Sequence, residues 1–289
     1  MKIRRLDVPQ CSVGEGPVWD VDEQALYFID ILGRKVFRHH PGSAQTREWS
    51  VPDIIGSMAL RAGGGAIVAL ANGVHSLDFG TGDCSMLASS EDLNSMVQLA
   101  DGKVDRSGRF IVGSSDRSMK DARGKVYALD PGARTLREVD RGIALSNGPC
   151  WSVDDATFYH ADSIAKTIFA YDYDLAAGRL TNRRAFASTA ALGGIPDGAT
   201  VDAEDHLWCA ICEGGKLVRF RPGGGIERII EMPVKLPGSV MFGGPRLDQL
   251  FVTSLSPAFM GRPADPLDGS TFVIEGLGIK GLSEPRFGA

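Results

Sequence analysis

One position recurs along the whole chain at nearly constant spacing. Glu15 occupies it in Gly14-Glu15-Gly16, Ser57 in Gly56-Ser57-Met58 and Asp101 in Asp101-Gly102-Lys103. Asn147 follows in Asn147-Gly148-Pro149, Asp197 in Asp197-Gly198-Ala199 and Ser239 in Gly238-Ser239-Val240. The intervals are 42, 44, 46, 50 and 42 residues. After each of these positions come a short apolar run, a turn, and segments rich in β-branched and aromatic residues. A repeat of this length with four short strands per unit is the signature of a propeller blade. Six units fill residues 1–289, so the sequence predicts one all-β domain, a six-bladed β-propeller with four antiparallel strands per blade.

Blade one reads as Ala25 to Asp30, Lys35 to Arg38 and Arg47 to Ser50 behind the Glu15 strand. Blade four repeats the pattern, and Trp151 stands four residues after Asn147 just as Trp19 stands four after Glu15. Thirty-six glycines and 15 prolines supply the many turns such a fold needs. No segment has helical periodicity. In blade three, Ser114 to Asp121 reads as a polar loop at one mouth of the propeller.

In a propeller the innermost strands line the central channel, so Glu15, Asp101, Asn147 and Asp197 are expected to form a ring of oxygen donors. Three carboxylates placed so close repel one another unless a cation sits between them. Oxygen donors without His or Cys select a hard cation, Ca²⁺ first and Mg²⁺ or Mn²⁺ next, with Zn²⁺ also accepted by such sites. Asn-Gly and Asp-Gly are also strong turn dipeptides. Glu15-Gly16 is not one, however, and turns do not require a shared phase in the repeat.

The remaining features exclude several classes. Net charge is −5 with no basic stripe, so nucleic acid is not an expected partner. The N-terminus carries Arg4 and Arg5 without an apolar stretch behind them, and no run approaches a membrane span; a cytoplasmic location is expected. Five scattered cysteines argue against a disulfide framework. Cys209 and Cys212 have redox-motif spacing but lie in a strand pattern, where they read as core. There is no Gly-x-Ser-x-Gly elbow and no His-Glu-x-x-His motif. The five histidines fall on outer strands or turns, with His160 a hydrogen-bonded structural residue. Catalysis would then rest on a metal and carboxylates, equipment suited to esters, lactones and phosphoesters.

Gly14-Glu15-Gly16-Pro17-Val18-Trp19, Asp101-Gly102-Lys103-Val104-Asp105, Ser146-Asn147-Gly148-Pro149, Pro196-Asp197-Gly198 and Phe242-Gly243-Gly244-Pro245 together resemble the SMP-30/gluconolactonase (regucalcin-like) family over almost the full length. The resemblance implies one divalent cation at the axis, held by Glu15, Asn147 and Asp197, with Asp197 also the general base. It implies hydrolysis of sugar lactones. The family's usual arginine and asparagine ahead of Asp-Gly-Lys hold sugar hydroxyls, and here those positions are Gln98 and Ala100. Each lost charged hydrogen bond costs roughly 1.5–3 kcal/mol, which weakens the case for a common aldonolactone. The candidate substrate residues are Gln98, Asp101, Asp116 and Arg117. A small-molecule lactone or ester is the expected partner. The rival readings are a metal-dependent esterase or phosphotriesterase with a non-sugar substrate, and a non-catalytic calcium-binding propeller.

Overall fold

The computed structural model describes residues 1–289 as 24 strands in six four-stranded antiparallel sheets arranged around one axis. Blade one comprises Gly14–Asp20, Ala25–Asp30, Lys35–His40 and Gln45–Ser50, counted outward from the axis. The only helices are two short 3₁₀ turns, Ala190–Leu192 and Pro257–Met260. No helix is long and apolar enough to cross a membrane.

Burial follows distance from the axis, and that gradient explains the composition of each strand. Ala25–Asp30 and Leu207–Cys212 are second strands, covered on both faces by neighbouring blades, and every residue in them is buried. Such strands read as continuous apolar runs. Outermost strands such as Ile226–Glu231 bury little and mix charged with apolar residues. Cys209 and Cys212 belong to the buried kind, and all five cysteines are free thiols.

Because blades pack face to face, the apolar interior is divided into wedges. One wedge unites Tyr27, Ile29 and Val36 of blade one with Met58, Val68 and Leu70 of blade two. Five equivalent clusters join the remaining pairs of successive blades. The wedge between blades six and one stacks Trp19 on Phe251 with ring centroids 5.3 Å apart. Trp151 fills the matching place between blades three and four.

Two connections lie outside the repeat. Lys2–Arg5 pairs antiparallel with Phe272–Glu275 and becomes the outermost strand of blade six, whose other strands are Pro237–Gly243 and Gln249–Ser254. The first and last parts of the chain thus share a sheet, which locks the ring. Beyond Glu275 the chain crosses the mouth opposite Glu15. Lys280 O accepts Ala203 N–H of blade five at 2.8 Å, and Gly281 N–H donates to Leu247 O of blade six at 2.8 Å. Glu284 meets Lys103 at 3.5 Å, and Arg286 pairs with Asp20 of blade one at 2.8 Å. Phe287 N–H then donates to Leu60 O of blade two, and Gly288 N–H to Gly108 O of blade three. This strap leaves the Glu15 end as the open mouth.

The polar loop expected at Ser114 to Asp121 is shorter in the structure. Phe110–Asp116 is a single strand, and Ser114, Ser115 and Asp116 are buried within it. Small polar residues here continue the ladder where the sequence suggested a break.

Candidate metal centre

Side chains of a regular inner strand point alternately into the two neighbouring wedges, since both faces of each blade are covered. A side chain turns toward the axis only where the ladder is interrupted. All six inner strands are interrupted at the recurring position: the register slips between Glu15 and Val18, Ile55 and Ser57, and Leu99 and Gly102. It slips again between Asn147 and Cys150, Pro196 and Ala199, and Pro237 and Val240. An extra residue in one strand bends it and re-aims the side chain. The glycine that follows Asp101, Asn147 and Asp197 is a packing requirement at these bulges, and Gly16 after Glu15 is set by its φ of +50. Gly148 has φ +60, and a Cβ there would lie 2.7 Å from Asp197 O. A Cβ on Gly198 would collide with Ser239. The Asn-Gly and Asp-Gly pairs are therefore bulges, with no hairpin turn at these points.

The bulges are stitched from blade to blade around the ring. Ser57 Oγ donates to Ala100 O at 2.8 Å. Gly148 N–H donates to Asp101 Oδ2 at 2.8 Å, while Asp101 Oδ1 accepts its neighbour Gly102 N–H at 2.8 Å. Asn147 Nδ2 donates to Ser163 Oγ at 2.9 Å, and Ser163 Oγ donates to Pro196 O at 2.6 Å. With its only proton committed to Pro196, the Ser163 hydroxyl must accept from Asn147, which fixes the amide orientation. Asn147 Oδ1 has no protein donor.

Glu15 and Asp197 are buried, with 6% and 7% of their surface exposed, and Asp101 is partly open to the mouth. Burial pushes the Glu15 carboxyl well above the usual carboxylate range, and the charges of Asp197 and Asp101 push it further. Asp197 is raised by burial and then by Asp101, against a hydrogen bond from the Cys212 thiol and one from Gly198 N–H. Asp101 is raised by burial, with the two glycine N–H groups and Lys103 acting the other way. None of the three carboxylates has a basic ion-pair partner. The nearest cation, Lys103, is engaged by Ala199 O at 3.2 Å and by Glu284.

This donor set fits a divalent cation. Buried carboxylates without a counter-charge are costly alone, and an amide oxygen without a donor completes an all-oxygen set. No three His, Cys, Asp or Glu side chains form a ready-made cage. The candidate ligands are two carboxylates and an amide.

The other residues singled out in the sequence lie at varied distances from this point. Asp101 belongs to the ring but spends both oxygens on backbone N–H groups of its own and the next blade. Gln98 is half-buried and lies opposite Ser115 in the ladder. Asp116 ends its strand, and its carboxylate accepts from Ser118 Oγ at 2.5 Å, Asp121 N–H at 2.8 Å, and the Lys120 and Ser118 N–H groups. The Ser118 hydroxyl, followed by these N–H groups, holds it well below the usual carboxylate range. Both of its oxygens thus shape the turn that follows. Arg117 is exposed, and its N–H donates to Met96 O at 2.8 Å. His160 is fully buried and bonded to Ser146 Oγ at 2.7 Å. Ser163 and Cys212 were not visible as site residues in the sequence, since neither shares the phase of the repeat.

A family model described as the SMP-30/gluconolactonase/LRE-like region matches residues 13–256. Regucalcin from Xenopus laevis is 34% identical over 284 residues, covering 96% of this chain and 95% of that protein. Two solved structures superpose with a TM-score of 0.90: a luciferin-regenerating enzyme, 25% identical and covering 99% of this chain and 98% of its own, and a calcium-binding protein, regucalcin, from Agrobacterium tumefaciens, 26% identical and covering 99% and 97%.

Proposed function

The chain belongs to the SMP-30/gluconolactonase/LRE-like family, and from that premise we propose that it is a metal-dependent lactonase. The observation that carries the reading is the unbalanced charge at the axis: Glu15 and Asp197 buried without a basic partner, beside an Asn147 oxygen without a donor. Glu15, Asn147 and Asp197 would hold the ion, and the calcium-binding regucalcin of Agrobacterium supports Ca²⁺ as its identity. Bound there, a divalent cation supplies Lewis-acid polarisation of a carbonyl oxygen.

The chain's own residues do the rest. Asp197, raised by burial and by Asp101 to about 8, is basic enough to take a proton from an attacking water. The neighbouring Cys212 thiol is pushed up by burial and by Asp197, so it stays protonated and adds no further negative charge. Ser163 keeps the Asn147 amide nitrogen turned away from the ion. Substrate enters from the open mouth, where Gln98 and Arg117 have polar groups to offer and Asp116 fixes the turn that carries Arg117.

Asp197→Ala should reduce lactone hydrolysis by at least about 100-fold. Chelation should abolish it, and added calcium should restore it. Undiminished turnover after both treatments would exclude the mechanism. A calcium-loaded protein inactive on lactones but active on aryl esters or phosphotriesters would keep the site and change the substrate.

A further inference from the structure

A cavity of about 30 Å³ lies on the propeller axis between the donor ring and the C-terminal strap, with room for about one or two waters. Gly16, Met58, Asp101, Ala199 and Ser239, from the inner strands of blades one, two, three, five and six, form its wall. Glu284 and Pro285 of the strap close its far end. Only three charged side chains line it, Asp101, Lys103 and Glu284, and Pro17, Leu60 and Met241 make much of the rest hydrocarbon.

Lys103 crosses this space. It belongs to the inner strand of blade three, Val97–Val104, yet its ammonium donates to Ala199 O of blade five at 3.2 Å, with blade four standing between them. A side chain spanning those two blades has to pass the inner strand of blade four by way of the channel. Its end is thus held two residues from the candidate ligand Asp197, and Glu284 meets it from the strap at 3.5 Å. Both side chains of that pair are 16% exposed. Charge therefore alternates along the axis, from the ring carboxylates to the Lys103 ammonium to the Glu284 carboxylate. The neighbouring arginines at the closed mouth are committed elsewhere, Arg106 to Asp155 and Arg286 to Asp20. Burial pushes the Asp101 carboxyl up, and the Gly148 N–H and Lys103 oppose that rise, so the ammonium is felt at the ring.

We propose that Lys103 is a tethered counter-cation of the donor ring: it lowers the ring's affinity for a divalent ion, and Glu284 offsets it, so that ion binding at the open mouth and attachment of the strap at the closed mouth strengthen each other. The inference rests on the metal-binding reading of the ring and concerns what sets the affinity. A positive charge under the ring opposes another entering it, and a buried, largely apolar wall screens the interaction little. Neutralising Lys103 from the strap side relieves that opposition. Coupling between two sites is reciprocal, so whatever Glu284 adds to ion affinity the ion returns to the strap. The strap's own contacts lie just beyond Glu284, where Phe287 N–H donates to Leu60 O and Gly288 N–H to Gly108 O.

The test is calorimetric titration of the full-length, metal-free protein with calcium. Lys103→Gln removes the charge and keeps a donor for Ala199 O, and it should tighten calcium binding by about fivefold or more. Glu284→Gln should weaken binding by a similar factor, and the double variant should fall between the two. A role in packing alone would move both single variants the same way. Calcium should also slow hydrogen exchange at Phe287 and Gly288, and slow it less in Glu284→Gln. That variant lies on the strap outside the blades, so it decides the matter even where Lys103→Gln fails to fold. Equal calcium affinity in Glu284→Gln and the wild-type protein, single-variant shifts of the same sign, or strap exchange indifferent to calcium would overturn the proposal while leaving the axial site intact. A wild-type protein that binds no calcium would overturn the metal reading and this inference with it.

Discussion

The Asp101 carboxylate of blade three accepts the N–H of Gly148 in blade four at 2.8 Å, one residue from the candidate ligand Asn147. The contact makes Asp101 a positioning residue for the ring. It also places a third negative charge near Glu15 and Asp197, raising both.

Removing that carboxylate therefore has two opposed effects. Asp101→Ala leaves the Gly148 N–H unpaired, a cost of about 1–3 kcal/mol, and relieves repulsion in the metal-free protein. Metal-free stability should change little, while the rise in Tm on adding calcium should shrink. Asp101→Asn keeps one acceptor and should fall between. Calorimetric melts with and without calcium decide this, and an unchanged calcium shift in both variants would remove Asp101 from its assigned role.

Glu15, Asp101 and Asp197 are all raised in the folded state, so folding takes up protons at these sites. Their contribution to metal-free stability is fully present below the unfolded carboxylate pKa of about 4 and is lost as pH rises through the raised values. A cation competes with those protons. The calcium-induced increase in Tm should therefore grow between pH 5.5 and pH 8. Thermal shifts measured at both pH values, with chelator as the reference, should show the increase; equal shifts would be inconsistent with protonated apo carboxylates.

His160 behaves in the opposite sense. Burial lowers it to about 3, against about 6.5 in an unfolded chain. The unfolded state binds the proton first, so the stability this residue contributes is lost as pH falls from about 6.5 toward 3. The loss is roughly 2 kcal/mol between pH 6.5 and pH 5. Denaturant titrations should show a shallower acid dependence in His160→Gln, which retains a partner for Ser146 Oγ. Parallel pH profiles for the two proteins would contradict it.

Arg286 on the C-terminal strap makes the ion pair to the buried carboxylate of Asp20 at the closed mouth. Arg286→Ala strands that charge and should destabilise the protein by about 1–3 kcal/mol. Deleting residues 282–289 also removes Glu284 from Lys103 and the backbone bonds to blades two and three, and should cost more. Urea midpoints for both variants measure the difference; a truncated chain as stable as the full one would mean the strap only lies against the blades.

Much of this architecture can be read before folding. The interval between Glu15, Ser57, Asp101, Asn147, Asp197 and Ser239 sets the number of blades, and the matched Trp19 and Trp151 mark equivalent wedges. Buried second strands are apolar over most of their length because they are covered on both sides, so they stand out as runs. Lys2–Arg5 gives no such signal, since an outermost strand needs no buried face, and its pairing with Phe272–Glu275 joins opposite ends of the chain. Ser114 to Asp116 misled for the related reason that polar residues can sit in a buried strand when neighbouring strands and turns supply their hydrogen bonds.

The sequence alone determined the repeat, the residues that share its recurring position and the family, because these depend on residue type and spacing along one chain. The tertiary structure decided which atoms those residues leave free. The commitment of Asp101 to Gly148, the turning of Asn147 by Ser163, and the reach of Lys103 to Ala199 are contacts made only in the folded ring, and a position in sequence carries no information about direction in space until the bulges aim it.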